Sequence, residues 1–239
     1  MLPLRAIAGL VALCLATPVM AQEADAARFT VSFGGITAGK MTLAARHEGT
    51  SYALTSQSVS SGLAGLFRSF SLTSRTQGTE RNGQLTPQRY SAEAKGARQG
   101  RGADLTFDGG MATVLRADPP EADAPVVDPS LHKGVVDPLT GLYSVLRDTT
   151  AAAACQLDLK MFDGHRVNRV TLSSPQANGD QLTCRGLYRR IDGYPPKELA
   201  KRPESAFTVT YRLMTGGVLR VAEVSVDSLF GQARMVRDN

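Results

Sequence analysis

Residues 207–227 read FTVTYRLMTGGVLRVAEVSVD, and this stretch decides the fold. Phe207, Val209, Tyr211 and Leu213 alternate with Thr208, Thr210 and Arg212. After Gly216-Gly217, Ala222, Val224 and Val226 alternate with Glu223, Ser225 and Asp227. A strict period of two, apolar on one side and polar on the other, is the pattern of an antiparallel strand with one face on a core and one in water. A glycine pair between two such runs supplies the positive φ angles of a tight turn. The passage therefore predicts a β-hairpin.

The same grammar runs outward in both directions. Phe29, Val31 and Phe33 share a face, and Leu157, Leu159 and Met161 alternate with Gln156, Asp158 and Lys160. Turn dipeptides at Gly34-Gly35, Glu48-Gly49, Asn82-Gly83, Asp108-Gly109, Asp163-Gly164 and Asn178-Gly179 separate strand-like runs. This predicts an all-β, mainly antiparallel fold: a meander of about a dozen strands with one short helix. A sheet of that size closes or curls to protect its edges, so a curved or unclosed β-barrel is expected.

Two segments break the alternation. Residues 118–136 carry Pro119, Pro120, Pro125 and Pro129 and read as an extended surface connection. It ends at Asp137-Pro138, an N-cap followed by proline in the first helical position. Leu139, Leu142, Tyr143 and Leu146 then fall at i, i+3, i+4 and i+7, one face of a helix that should pack over a barrel end or along a groove. Gly62 to Phe67 is an apolar patch without alternation, read as one helical turn. Leu63, Leu66 and Phe67, with Leu142, Tyr143 and Leu146 of the helix, are the candidate ligand-binding residues guarding a cavity mouth.

The chain has 239 residues. Its first 21 combine Arg5, an apolar run from Ala6 to Ala16 and small residues at Val19-Met20-Ala21, the pattern of a Sec-type signal peptide. Residues 22–239 are then expected to form a single exported β-barrel-like domain, periplasmic and without a transmembrane segment. Arg5 is the only charged residue among the 21, leaving 26 basic against 22 acidic side chains and a net charge of +4. In that compartment the available polyanions are lipid head groups, lipopolysaccharide and wall polymers, not nucleic acid, and the basic residues read first as solvated outward faces of strands. Leu13 before Cys14 argues against lipid attachment, which requires a small residue there.

Cys155 and Cys184 remain as a pair. In an oxidising compartment two cysteines read first as a disulfide. A redox pair or two metal ligands are the other uses, and the missing C-x-x-C spacing speaks against both. The parity of Cys155 with Leu157, and of Cys184 with Leu182, predicts both pointing inward from strands that follow the helix.

No catalytic set stands out. The 3 histidines, His47, His132 and His165, lie in turn or loop contexts, and the chain lacks H-E-x-x-H, a P-loop and G-x-S-x-G. Arg189 and Arg190 beside Tyr188 and Tyr194 are candidates for an anionic ligand, weighed against ordinary strand-face charge. Absence of Trp argues against a sugar-stacking platform. No cofactor or metal is expected, and the reading is non-enzymatic: a lipid-like or amphipathic envelope component in a curved sheet or, alternatively, a solid barrel that binds another envelope protein.

Several elements in order resemble a bacterial family known as domain of unknown function 3108. They are Phe33 to Gly39, Gly78 with Leu85-Thr86-Pro87-Gln88-Arg89-Tyr90, Asp137-Pro138-Leu139, Phe162 to Arg166, and Cys184 to Tyr194. The resemblance implies an exported envelope protein and brings no catalytic residue with it. The meander is also similar in architecture to exported proteins built as unclosed barrels, including lipoprotein carriers and envelope-integrity proteins, a likeness that does not imply function.

Overall fold

The computed structural model describes residues 25–61, 69–96, 101–118, 123–228 and 231–238. The signal-peptide reading of residues 1–21 and the candidate residues Leu63, Leu66 and Phe67 lie outside them. The alternation produces β1 (Asp25–Phe33), β2 (Ile36–Glu48), β3 (Ser51–Ser60), β4 (Ser71–Arg81), β5 (Gln84–Lys95), β6 (Arg101–Asp108) and β7 (Met111–Ala117). After the proline-bearing connection come β8 (Val135–Val136), α1 (Pro138–Leu146), β9 (Leu157–Phe162), β10 (Val167–Asn178) and β11 (Gln181–Asp192). A short helix α2 (Pro196–Lys201) precedes β12 (Glu204–Leu213), β13 (Leu219–Ser228) and β14 (Gly231–Arg237).

The 14 strands of the described residues form one sheet, in the order β7-β6-β5-β4-β3-β2-β1-β14-β13-β12-β11-β10-β9-β8. Every neighbouring pair is antiparallel except β8 with β9, which run parallel. The two ends of the meander meet at the β1–β14 pairing, Phe29 opposite Arg237 and Val31 opposite Met235. The free edges are therefore β7 and β8, adjacent in sequence, and the sheet is a nearly closed barrel with its seam between them. Among the described residues, one backbone bond crosses the seam region, from Gly134 N–H to the Gly110 carbonyl at 2.9 Å. The tip of the β9–β10 hairpin also reaches over: a Cβ on Gly164 would sit 3.5 Å from Ala103, Ala117 and Leu105 side-chain atoms of β6 and β7.

Turn chemistry explains the hairpins. Asn82 and Gly83 take φ of 51° and 78°, the paired left-handed values of a two-residue turn whose twist matches its strands. Bulges modify the alternation. In β13 the register shifts opposite Thr210/Tyr211, so Tyr211 pairs with Val221 and Thr210 with Glu223. The inward face thus runs Leu219, Val221, then Val224 and Val226, with Ala222 at the bulge. Strict alternation places Ala222 on that inward face, but one inserted residue is invisible to a period of two.

The connection before α1 is less superficial than expected. Val127 is buried, and Val135 and Val136 form β8 with both side chains buried. Two residues are too few to show alternation, so this strand has no signature in the sequence. The helix itself starts at the predicted cap and lies within the curve of the sheet, packed against β3, β4 and β5 on one side and β9 on the other. That enclosure buries Leu139, Thr140, Gly141, Val145 and Leu146, more of its circumference than one apolar stripe.

The disulfide joins Cys155 to Cys184. Cys184 points inward from β11, as expected, but Cys155 lies in the turn before β9 with φ of 59° rather than on a strand. The bond anchors the exit from α1 to the second half of the sheet. With a sequence separation of 29 residues, its loss is expected to cost about 3–4 kcal/mol in the chain-entropy model. Urea unfolding of a Cys155→Ala/Cys184→Ala variant checks this; an unchanged midpoint contradicts it.

Candidate functional site

Asp137 sets the position of the helix. It is fully buried, and its Oδ1 accepts from the backbone N–H groups of Leu139 and Thr140, both at 2.9 Å, and from the Thr76 hydroxyl of β4 at 2.7 Å. Its Oδ2 accepts from the Thr140 hydroxyl at 2.6 Å, and that oxygen lies 3.0 Å from the Tyr52 hydroxyl of β3. The N-cap reading of Asp137 describes the two backbone bonds. The link to Thr76, 61 positions away, makes the same residue the tether between helix and wall.

Burial raises the Asp137 carboxyl above its ordinary value, and the four hydrogen bonds pull it back only in part. A folded value above the unfolded one means this group's contribution is complete below about pH 4 and is lost as pH rises through the raised value. Asp137→Asn keeps the cap and can donate to the Thr140 oxygen, so it is expected to flatten that part of the stability–pH curve. Asp137→Ala removes the cap and strands Thr76, costing about 2–4 kcal/mol. Urea midpoints from pH 4 to pH 8 test both, and an undiminished slope in the Asn variant refutes the assignment.

A second tether holds the other side of the helix. The Tyr143 hydroxyl lies 3.0 Å from His47 Nε2, and His47 Nδ1 lies 3.2 Å from Glu80. Arg147 donates to the other Glu80 oxygen at 2.7 Å and to the Gly83 carbonyl at 2.7 Å. His47 sits on β2, not in a turn as its neighbourhood suggested. Removing the hydroxyl in Tyr143→Phe is expected to lower stability by about 1 kcal/mol. The shift in urea midpoint measures it, and no shift would show that the contact contributes nothing.

Held at its start and its middle, α1 lies to one side of the barrel and leaves a cavity of about 500 Å³ between itself and the wall. The helix contributes Gly141, Leu142, Val145 and Leu146. The wall contributes Met161, Val170, Phe207, Val224, Val226 and Met235 from β9, β10, β12, β13 and β14. Two glycines shape it. The Met161 side chain rests on Gly141, where a Cβ would stand 2.2 Å from Sδ, and the Phe207 ring covers Gly186 of β11, where a Cβ would stand 2.3 Å from the ring. Of the helical candidates, Leu142 and Leu146 line the cavity, whereas Tyr143 turns its hydroxyl to His47.

The few polar groups lie together. Asp163, Asn168, Tyr188 and Ser205 line the same cavity. The Tyr194 hydroxyl donates to Asn168 Oδ1, and the Tyr188 hydroxyl lies 3.3 Å from that of Tyr194. Burial, and then the hydrogen bond to Tyr194, raises the Tyr188 phenol well above its ordinary value, so it stays a neutral hydroxyl. Asn168 is a residue the sequence reading missed. Its signal was present: Asn168, Val170 and Leu172 share one face of β10, and an amide on an otherwise apolar inward face asks for a partner.

The arginine candidates are engaged elsewhere. Arg189 pairs with Glu204 at 3.1 Å, and Arg190 lies 3.4 Å from Glu198 with its guanidinium over the Tyr194 ring. His132 meets Asp192 at 2.9 Å across the linker. Among the described residues, no group of three or more His, Cys, Asp or Glu side chains is placed to hold a metal ion.

Residues 28–184 match the model of a family described as "Protein of unknown function (DUF3108)", and the chain belongs to that family. The match ends on Cys184, so the stretch from Arg185 to Tyr194 lies beyond it. No curated protein matches the chain. Among solved structures, the chain is similar to the crystal structure of a β-barrel-like protein of domain of unknown function DUF1849 from Brucella abortus. The two are 13% identical with a TM-score of 0.49, over 90% of this chain and 95% of that one.

Proposed function

We propose that this DUF3108 protein is a non-enzymatic periplasmic protein of the cell envelope that holds a lipid-like, amphipathic ligand between α1 and the wall of the barrel. The observation that carries this reading is the cavity of about 500 Å³, lined by aliphatic, methionine and phenylalanine side chains with polar groups gathered in one cluster. That volume lies within the range of small-molecule sites, and apolar walls with a few convergent polar groups are what such sites share. Export is supported by the signal-like first 21 residues and by the Cys155–Cys184 bond, a cross-link that persists in oxidising compartments.

Lipid extraction and mass spectrometry of protein purified from the periplasm test the reading. One acyl-bearing species is expected at near-stoichiometric amounts. Val224→Trp, which projects an indole into the cavity, is expected to abolish its recovery while the protein remains folded. Clean wild-type protein that takes up no lipid from vesicles overturns the proposal.

A second reading, an adaptor for another envelope protein, draws on the open edge. Leu115 on β7 is 65% exposed, and Val126 and Leu131 of the connection are 86% and 76% exposed. Cross-linking in intact envelopes separates the two, since an adaptor returns one dominant polypeptide and a carrier returns lipid.

A further inference from the structure

Among the described residues that line the cavity, none is lysine, arginine or histidine, and the one ionisable acid is Asp163. Its Oδ1 accepts from the backbone N–H groups of His165 and Arg166 at 2.9 and 2.7 Å, which holds the carboxylate in place at the β9–β10 turn. The Arg166 and Arg190 guanidinium groups stack over the Tyr194 ring, 4.6 and 5.4 Å from its centre, and neither lines the cavity. An anionic head group placed here would meet the Asp163 carboxyl directly, whereas both guanidinium groups are engaged over the Tyr194 ring and outside the lining.

Asn168 supplies the complementary observation. It is 5% exposed, and its side chain has one hydrogen bond, the one its Oδ1 accepts from Tyr194. The two amide N–H donors have no protein partner among the described residues, on a side chain that lines the cavity. Because Tyr194 donates to Asn168, the Tyr188 hydroxyl gives its proton to Tyr194 and presents a lone pair. One pair of N–H donors open to the cavity, beside one oxygen acceptor, matches a carbonyl with an adjacent hydroxyl or N–H. A ligand filling the cavity takes these donors out of water, where leaving them unmatched is costly, so its acceptor carries selectivity as well as affinity.

We infer that the cavity selects an acyl chain whose polar end is an uncharged ester or amide, its carbonyl received by Asn168 and its neighbouring donor by Tyr188. This rests on the cavity being a lipid site and adds the chemistry of the head group. The acyl chain lies along Leu142, Leu146, Phe207, Val224 and Met235, and the head sits toward Asp163.

Three probes of equal chain length separate the possibilities: 1-monopalmitoylglycerol, palmitate at pH 8 and hexadecylamine, each titrated into full-length processed protein by displacement of a fluorescent fatty probe. The glycerol ester is expected to bind roughly tenfold or more tightly than palmitate. Asn168→Asp, which turns donors into acceptors in the same shape, is expected to erase that preference and move it toward the amine. Tyr188→Phe is expected to weaken the ester alone, with circular dichroism confirming the fold of both variants. Palmitate or the amine binding the wild-type protein as tightly as the ester overturns the head-group assignment and leaves the cavity reading standing. A wild-type protein that binds none of the three overturns the cavity reading itself.

Discussion

The buried carboxyl of Asp137 is the constraint on which the interior depends. A helix inside a barrel must satisfy its first backbone N–H groups where no water reaches, and one side chain does this while also binding the wall through Thr76. Without that tether α1 would have only apolar contact to place it, and apolar contact is non-directional. With it, the start of the helix is held against β3 and β4, and His47 with Glu80 holds its middle through Tyr143. The helix is therefore drawn to one side of the barrel, and a cavity is left between it and the wall.

The closure of the sheet follows a related logic. A long antiparallel meander must dispose of two edges. Here β1 and β14 pair, so the edges fall in the middle of the sequence at β7 and β8, with one connection spanning them. That connection carries β8 and then α1, so the seam and the inserted helix share one origin. The disulfide and the Asp148 pairs with Arg220 and Arg237 secure the exit of the same segment to β11, β13 and β14. The segment that breaks the alternation is thus pinned at both ends to a sheet formed by the rest of the chain.

Much of this was legible in the residues. The strands of the 207–227 hairpin, the Asn82-Gly83 turn, the Asp137-Pro138 helix start and the Cys155–Cys184 pair are local signals that tertiary packing did not override. What local pattern could not carry were events of one or two residues: the bulge at Ala222, the two-residue β8, and Cys155 in a turn beside the strand it was read with. Each shifts a face without changing composition. The site was legible in part, since Leu142 and Leu146 fell on the predicted helix face. Asn168 and Tyr188 come together only because β10 and β11 pair with Val170 opposite Tyr188.

Spacing and residue type alone establish the all-β class, the place of helix α1 and the cysteine pair. Each of these is written in spacing or in single residues whose backbone preferences are strong. Long-range packing settles where the edges of the sheet meet, that the helix is enclosed rather than laid across an end or along a groove, and that a cavity with a polar cluster lies beside it. These are properties of contacts between residues far apart in the chain, such as Thr76 with Asp137, and no local period encodes a contact of that range.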